Sequence, residues 1–242
     1  MELNKIYQGD CLEVMKSFEA DSIDMILTSP PYNMRTRIRN GKYTTREKSE
    51  HFSKKYKYFD DALPIDDFYD FHKKCLTEML RISKVVIYNF QIVTGSKEAF
   101  FRIIGDFSKD IKDIIIWDKG FGQPAMHDKV LNSSYEILLI LEDDNRCGRV
   151  IQNAKFKRGE MQNILRIGRG KKVSNIHSAC FPEELAENII KNFSEKGDII
   201  LDPFAGSGTT LKMAKKNNRN FIGIEISPEY CKIAEKRINL TQ

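Results

Sequence analysis

Short apolar, β-branched runs recur along the chain, and between several of them apolar residues return every three or four positions. Brief continuous or alternating runs read as strands, and a repeat of about 3.6 residues reads as amphipathic helix. The pattern predicts strands at Lys5–Gln8, Ile23–Thr28, Val85–Phe90, Ile111–Trp117, Tyr135–Leu141, Asp198–Leu201 and Phe221–Glu225. Helices are expected over Leu12–Phe18, Pro64–Ile82, Ser96–Phe107, Pro182–Phe193, Thr209–Asn217 and Pro228–Leu240. The last is the best marked, with Ser227 as N-cap, Pro228 in the first helical position and Glu229 against the helix dipole.

Buried strands alternating with helices are the pattern of a mostly parallel sheet covered on both faces. The expected fold class is α/β, a doubly wound, Rossmann-like sheet, and 242 residues suit a single domain over 1–242. In such a sheet ligands gather beyond the carboxyl ends of strands, where the strand order reverses. Polar, glycine-rich or proline-rich signals sit at four of these ends: "GD" after Gln8, "SPPY" after Thr28, "DPFAGSGTT" after Leu201, and Glu225 after Ile224.

A formal net charge of +5, with 41% hydrophobic and 30% charged residues, excludes neither an enzyme nor a binding module. The distribution of charge changes the picture. From Arg35 to Lys57 nine basic residues are opposed only by Glu47 and Glu50, and from Arg146 to Lys172 another nine are opposed only by Glu160. Either run alone is equally a solvated face; two together point to nucleic acid. The cysteines (Cys11, Cys75, Cys147, Cys180, Cys231) and histidines (His51, His72, His127, His177) are scattered without metal-ligand or redox spacing. Reduced thiols and no structural metal are expected. No charged-then-apolar leader opens the sequence and no apolar run approaches the length of a membrane span, so the expectation is a cytoplasmic protein without a membrane partner.

Two motifs carry the chemistry. In "ILDPFAGSGTT", Gly206 and Gly208 allow a tight strand-to-helix turn and close approach of a ligand to the backbone. A phosphate-cradling loop would need Lys before the final hydroxyl residue, but Thr209 follows Gly208 directly, which disfavours a nucleoside triphosphate. Glu225, ending the next strand, is placed to accept the hydroxyls of a ribose, a feature also shared with dinucleotide binders. In "LTSPPYNM", Pro30 and Pro31 lack N–H groups and hold φ fixed, so their carbonyls are pinned in direction and unclaimed by the sheet. The Ser29 oxygen and the Pro30 carbonyl could then accept both hydrogens of a nucleobase amino group, with Tyr32 as the stacking face. Such a base must leave its duplex, at a cost of a few kcal/mol, offset in part by stacking worth about 1–3 kcal/mol.

Together the motifs resemble the S-adenosylmethionine-dependent amino-methyltransferases of DNA, over nearly the whole chain. That family's "(D/N/S)PPY" tetrad corresponds to Ser29, Pro30, Pro31 and Tyr32, and its "FxGxG" turn to Phe204 through Gly208. The tetrad precedes the glycine turn, an order similar to the β group, whose sheet is a circular permutation. The resemblance implies S-adenosyl-L-methionine as cofactor. It places Asp10 and Cys11 of "YQGDCLEVM", His177 and Phe181 of "HSACFPEEL", and Asp202, Phe204, Gly206, Gly208, Thr209 and Glu225 around that cofactor. By the same resemblance, "IIIWDKG" and "NSSYEILLIL" are paired strands, residues 145–176 a small target-recognition insertion, and residues 34–60 a mobile basic loop facing DNA. The implied partner is double-stranded DNA with one base extruded, met by a monomer or homodimer.

The expected reaction is direct attack of the amino nitrogen on the sulfonium methyl, with Ser29 and Pro30 stabilising positive charge on nitrogen. No cysteine flanks the tetrad, which disfavours methylation at cytosine C5. By the same resemblance, serine at the first tetrad position leans toward N4 of cytosine, with N6 of adenine the alternative. RNA methylation and an inactive nucleic-acid-binding module are further alternatives.

Overall fold

The structure, a computed structural model, describes residues 1–39, 42–45, 62–123, 128–144, 148–169 and 182–241. In chain order its elements are β1 (Lys5–Gln8), α1 (Cys11–Lys16), β2 (Met25–Thr28), β3 (Thr36–Arg39), β4 (Lys42–Thr45), α2 (Ile65–Ile82), β5 (Val86–Phe90), α3 (Lys97–Asp106), β6 (Ile111–Gln123) and β7 (Ser133–Leu141). Then come β8 (Ile164–Arg166), α4 (Glu183–Phe193), β9 (Ile199–Asp202), α5 (Thr209–Lys216), β10 (Asn220–Glu225) and α6 (Pro228–Asn239).

Eight strands form one sheet in the order β1-β10-β9-β2-β5-β7-β6-β8. The pairings from β1 across to β5 are parallel, β7 runs antiparallel to both β5 and β6, and β8 is parallel to β6. From β2 the chain crosses through α2 to β5 on one side; from β9 it crosses through α5 to β10 on the other. The order therefore reverses between β2 and β9, and the crevice opens beyond their carboxyl ends.

Alternation along the central strands divides the core between two faces. Ile26, Val86 and Tyr88 pack with Met15, Phe68, Leu76, Met79 and Phe100 of α1, α2 and α3. Met25, Leu27 and Ile87 pack with Leu185, Ile189, Leu211 and Ile238 of α4, α5 and α6. Both faces of β2 and β5 are thus covered, which is why these strands read as unbroken apolar runs.

Every strand and helix expected from the pattern is present, and β6 runs six residues beyond the predicted Trp117, to Gln123. Two features were not anticipated. Within the stretch expected to be a loop, β3 and β4 pair as an antiparallel hairpin, Thr36 opposite Thr45. "TRIR" and "KYTT" carry too few apolar residues to signal strands, and the backbone ladder supplies the order instead. The three residues of β8 lie in the second basic run and pair with β6 from Ile116 to Asp118. That run is partly neutralised in space, Arg149 meeting Asp113 at 2.5 Å and Arg166 meeting Asp118 at 3.4 Å.

Two details fix the crevice. Thr28 Oγ1, at the end of β2, donates to Asp202 Oδ1, at the end of β9, over 2.7 Å. Gly208 has φ of +76°, and a Cβ there would lie 2.8 Å from the Cβ of Ala234, so its lack of a side chain lets α6 close on the turn. Gly208→Ala should therefore cost roughly 1–3 kcal/mol, seen as a lower melting temperature; an unchanged one would contradict this packing.

Burial raises the Asp202 pKa from 3.8 to about 6, against hydrogen bonds from Thr28, Thr210 and the Phe204 amide that favour the ionised form. Folding thus favours the protonated acid. Its stabilising contribution is full below pH 3.8 and lost as pH rises through about 6. At about 1.4 kcal/mol per pKa unit the amount is about 3 kcal/mol. In denaturant titrations, the stability of Asp202→Asn relative to wild type should rise by that order between pH 4 and pH 7, and a pH-independent difference would contradict the burial argument.

Candidate active site

The tetrad and the glycine turn leave neighbouring strands of the sheet. β2 and β9 pair in register, Ile26 beside Leu201, so Ser29 and Phe204 emerge together on the same edge. Asp202 ties them: its Oδ1 accepts both the Thr28 hydroxyl and, at 3.1 Å, the Phe204 amide. This cross-link was not foreseen for Asp202, which the family resemblance placed around the cofactor.

On the tetrad side, Pro30 and Pro31 are buried, whereas Ser29 and Tyr32 are half-buried. Ser29 Oγ and Tyr32 Oη share a 2.6 Å hydrogen bond, and the Tyr32 ring meets Phe100 edge-on. Behind Pro31 lies His72, whose pKa burial depresses to about 3, with the Pro31 carbonyl acting in the opposite direction. It is neutral at physiological pH and bonds through Nδ1 to the Tyr88 hydroxyl. Asn33, next after Tyr32, sits at φ +57° and donates from its amide to the carbonyls of Leu63 (2.9 Å) and Gly95 (3.0 Å). A Cβ on Gly95 would fall 2.2 Å from the Asn33 carbonyl oxygen, so only glycine lets that loop brace the tetrad.

Sequence reasoning missed the groups that hold the tetrad hydroxyls. Asn89 of β5 lies with Nδ2 2.6 Å from Tyr32 Oη and 2.6 Å from Glu136 Oε2 of β7. Tyr32 itself donates to Glu136 at 3.1 Å, and Lys119 of β6 meets the other carboxylate oxygen at 2.9 Å. The available signals were an asparagine inside the apolar run "VIYNF" and a glutamate inside the predicted strand Tyr135–Leu141, residue types that enter a sheet interior only with partners; Lys119 lay two residues past the predicted end of its strand and gave no signal.

On the glycine-turn side, Gly206 (φ +50°) gives its amide to Glu225 Oε2, and Ser227 gives its amide to Oε1, both at 2.8 Å. Glu225 therefore braces the glycine turn and retains lone pairs for a ligand. Burial raises its pKa, opposed by the Ser227 and Gly206 amides, with Asp202 adding a smaller upward push. Gly9 donates to the Glu225 carbonyl, which sets Asp10 beside it at the next strand end. The Asp10 carboxylate caps α1 through the amides of Leu12 and Glu13. The Cys11 thiol is buried in the core, 3.9 Å from that of Cys75. Thr209 Oγ1 and Ser207 receive Arg237 of α6, whose other nitrogen holds Glu183 at the start of α4. His177 and Phe181 lie outside the described residues.

The donor set fits S-adenosyl-L-methionine. Glu225, its two oxygens held by the amides of the positive-φ Gly206 turn and of Ser227, keeps acceptor lone pairs at a strand end, a match for the hydroxyls of a ribose. Among the described residues, no group of three or more His, Cys, Asp or Glu is arranged to hold a metal, and no helix is long and apolar enough to cross a membrane.

Comparison with known proteins agrees with this geometry. The orphan methyltransferase M.BamHII of Bacillus amyloliquefaciens is 50% identical over 93 residues, 36% of this chain and 35% of that protein. The type II methyltransferase M.HinfI of Haemophilus influenzae is 30% identical over 257 aligned positions, 98% of this chain and 68% of that protein. The matches thus span about a third of the first relative's length and about two-thirds of the second's. The solved PvuII DNA methyltransferase, described as cytosine-N4-specific, shares the fold with a TM-score of 0.72 at 18% identity, covering 98% of this chain and 86% of that one. The DNA methylase family model for N6 and N4 enzymes matches residues 23–236, and the chain belongs to that family of DNA amino-methyltransferases.

Proposed function

We propose that the protein methylates an exocyclic amino nitrogen of a base extruded from duplex DNA, with N4 of cytosine the favoured acceptor and N6 of adenine the alternative. The observation that carries this reading is the placement of the tetrad and the glycine turn on either side of one crevice, tied through Thr28 and Asp202. Bound S-adenosyl-L-methionine supplies an electrophilic methyl group on a sulfonium.

The chain's own residues position and stabilise. The Gly206 turn and Glu225 orient the cofactor, while the Ser29 oxygen and Pro30 carbonyl accept the amino hydrogens and aim the nitrogen lone pair. Positive charge that develops on nitrogen meets these same oxygens. As the nitrogen–methyl bond forms, the methyl–sulfur bond breaks and the cofactor leaves as a neutral thioether. No strong base is required, because the methylated nitrogen is far more acidic than the parent amine and releases its proton to water. Serine at the head of the tetrad favours cytosine within this family.

DNA recognition is assigned to residues 145–176, of which Lys157, Arg158 and Arg169 are exposed in the described part. The basic stretch 34–60, including the β3–β4 hairpin, is assigned to the phosphate backbone.

Incubation with radiolabelled cofactor should label duplex DNA, and nucleoside digestion with mass spectrometry should yield N4-methylcytosine. N6-methyladenine as sole product would overturn the choice of base; label only in RNA would overturn the DNA reading; no label in either would favour a binding module. Tyr32→Ala should lower kcat/KM for DNA about 5- to 150-fold, the equivalent of one lost stacking contact, with cofactor affinity unchanged in calorimetry. Gly206→Leu should abolish cofactor binding. Equal loss of cofactor binding in the tyrosine variant would contradict the division of roles.

A further inference from the structure

We infer that Glu136 is a positioning residue that fixes the donor–acceptor polarity of the tetrad hydroxyls, so that Ser29 offers lone pairs to the incoming amino group; this rests on the amino-transfer reading above. A serine and a tyrosine hydroxyl bonded to each other, as Ser29 and Tyr32 are at 2.6 Å, can point their protons either way. One of the two arrangements aims the serine proton outward, where it would repel an amino N–H.

Glu136 removes the ambiguity. Its carboxylate is an acceptor on both oxygens, with the Lys119 ammonium 2.9 Å from Oε1 and the two side chains 3% and 11% exposed. Tyr32 must therefore donate to Oε2. Its only proton being spent there, Tyr32 must accept from Ser29, and Ser29 is left as an acceptor toward the crevice. Asn89 acts in the same sense. Its two amide hydrogens face three acceptors, and the contacts to Tyr32 and Glu136 are shorter than the 3.2 Å contact to Ser29. The cost is visible: Asn89 Oδ1 is buried without a hydrogen-bond partner among the described residues. Turning the amide over would set that oxygen against the carboxylate, so Glu136 dictates the orientation of Asn89 as well.

The ion pair comes from the sheet itself. Glu136 lies opposite Trp117 in the β6–β7 ladder, and the Lys119 ammonium lies 5.3 Å from the Trp117 ring centroid. The negative end of the chain Ser29–Tyr32–Glu136 is thus held behind the tetrad, directed at the position where the target nitrogen becomes positive.

The test is a double-mutant cycle in steady-state DNA methylation, with cofactor calorimetry and thermal melting alongside. Glu136→Gln, which can donate as well as accept, should lower kcat on the order of 100-fold, the lower end for a misdirected catalytic hydrogen bond, with cofactor affinity unchanged. Because that variant strands a buried lysine, Lys119→Gln/Glu136→Gln, which removes both charges, serves as the second form and should show the same loss while melting near wild type. Tyr32→Phe/Glu136→Gln should be no slower than the slower single variant, since both act through one chain of hydrogen bonds. Wild-type kcat in either Glu136 variant, multiplicative losses with Tyr32→Phe, or losses that track melting temperature would overturn the inference. A wild type that labels no nucleic acid would overturn the parent reading, and the inference with it.

Discussion

The hydrogen bond from Thr28 to Asp202 joins the two halves of the crevice. Thr28 and Asp202 terminate adjacent parallel strands, and beyond each of them the backbone turns irregular and is no longer constrained by the sheet. A proline pair stiffens one continuation and a pair of positive-φ glycines bends the other. Without a fixed point between them, each loop would be rigid internally and adrift relative to its neighbour. Asp202 supplies that point with one carboxylate oxygen shared between the threonine hydroxyl and the Phe204 amide, at the expense of burying an acid whose ionisation is disfavoured.

The same device recurs around the site. Glu225 bridges the glycine turn to its neighbouring strand end, Arg237 bridges that turn to α4, and Asn33 bridges the tetrad to the loops before α2 and after β5. In each case a polar side chain on one element satisfies backbone or side-chain groups on another, so the desolvation cost of burying it is offset by several hydrogen bonds. A reaction that depends on alignment rather than on a strong base or nucleophile needs this kind of preorganisation, because small displacements of a reacting atom are costly in rate. The asymmetry between the walls is also physical. The glycine-turn wall carries two carboxyls, Asp202 and Glu225, whose ionisation burial disfavours; the tetrad wall carries the hydroxyls of Ser29 and Tyr32.

Most of the fold was legible because buried parallel strands write themselves as continuous apolar runs, as "MILT" and "VIYNF" do, and because Ser227 and Pro228 punctuate the last helix. The β3–β4 hairpin was not, since "TRIR" and "KYTT" read as charge rather than as strand. At the site, the motif residues were legible from proline and glycine chemistry, which is local to the sequence. Asn89, Lys119 and Glu136 were not, because their importance comes from three strands lying side by side, and linear spacing carries no trace of that register. Asp10, Cys11 and Gly208 show the converse: the motif marks the location, while the observed contacts of these residues cap a helix, fill the core and admit a neighbouring helix.

The most direct measurement is a crystal structure of the protein with a non-transferring cofactor analogue and a DNA duplex carrying a weakly paired target base. The account predicts the methionine end of the analogue against the Gly206 turn, its ribose at Glu225, and the target amino nitrogen within hydrogen-bonding distance of Ser29 Oγ and the Pro30 carbonyl. An analogue bound away from the turn, or a base held away from Ser29 through Tyr32, would contradict it.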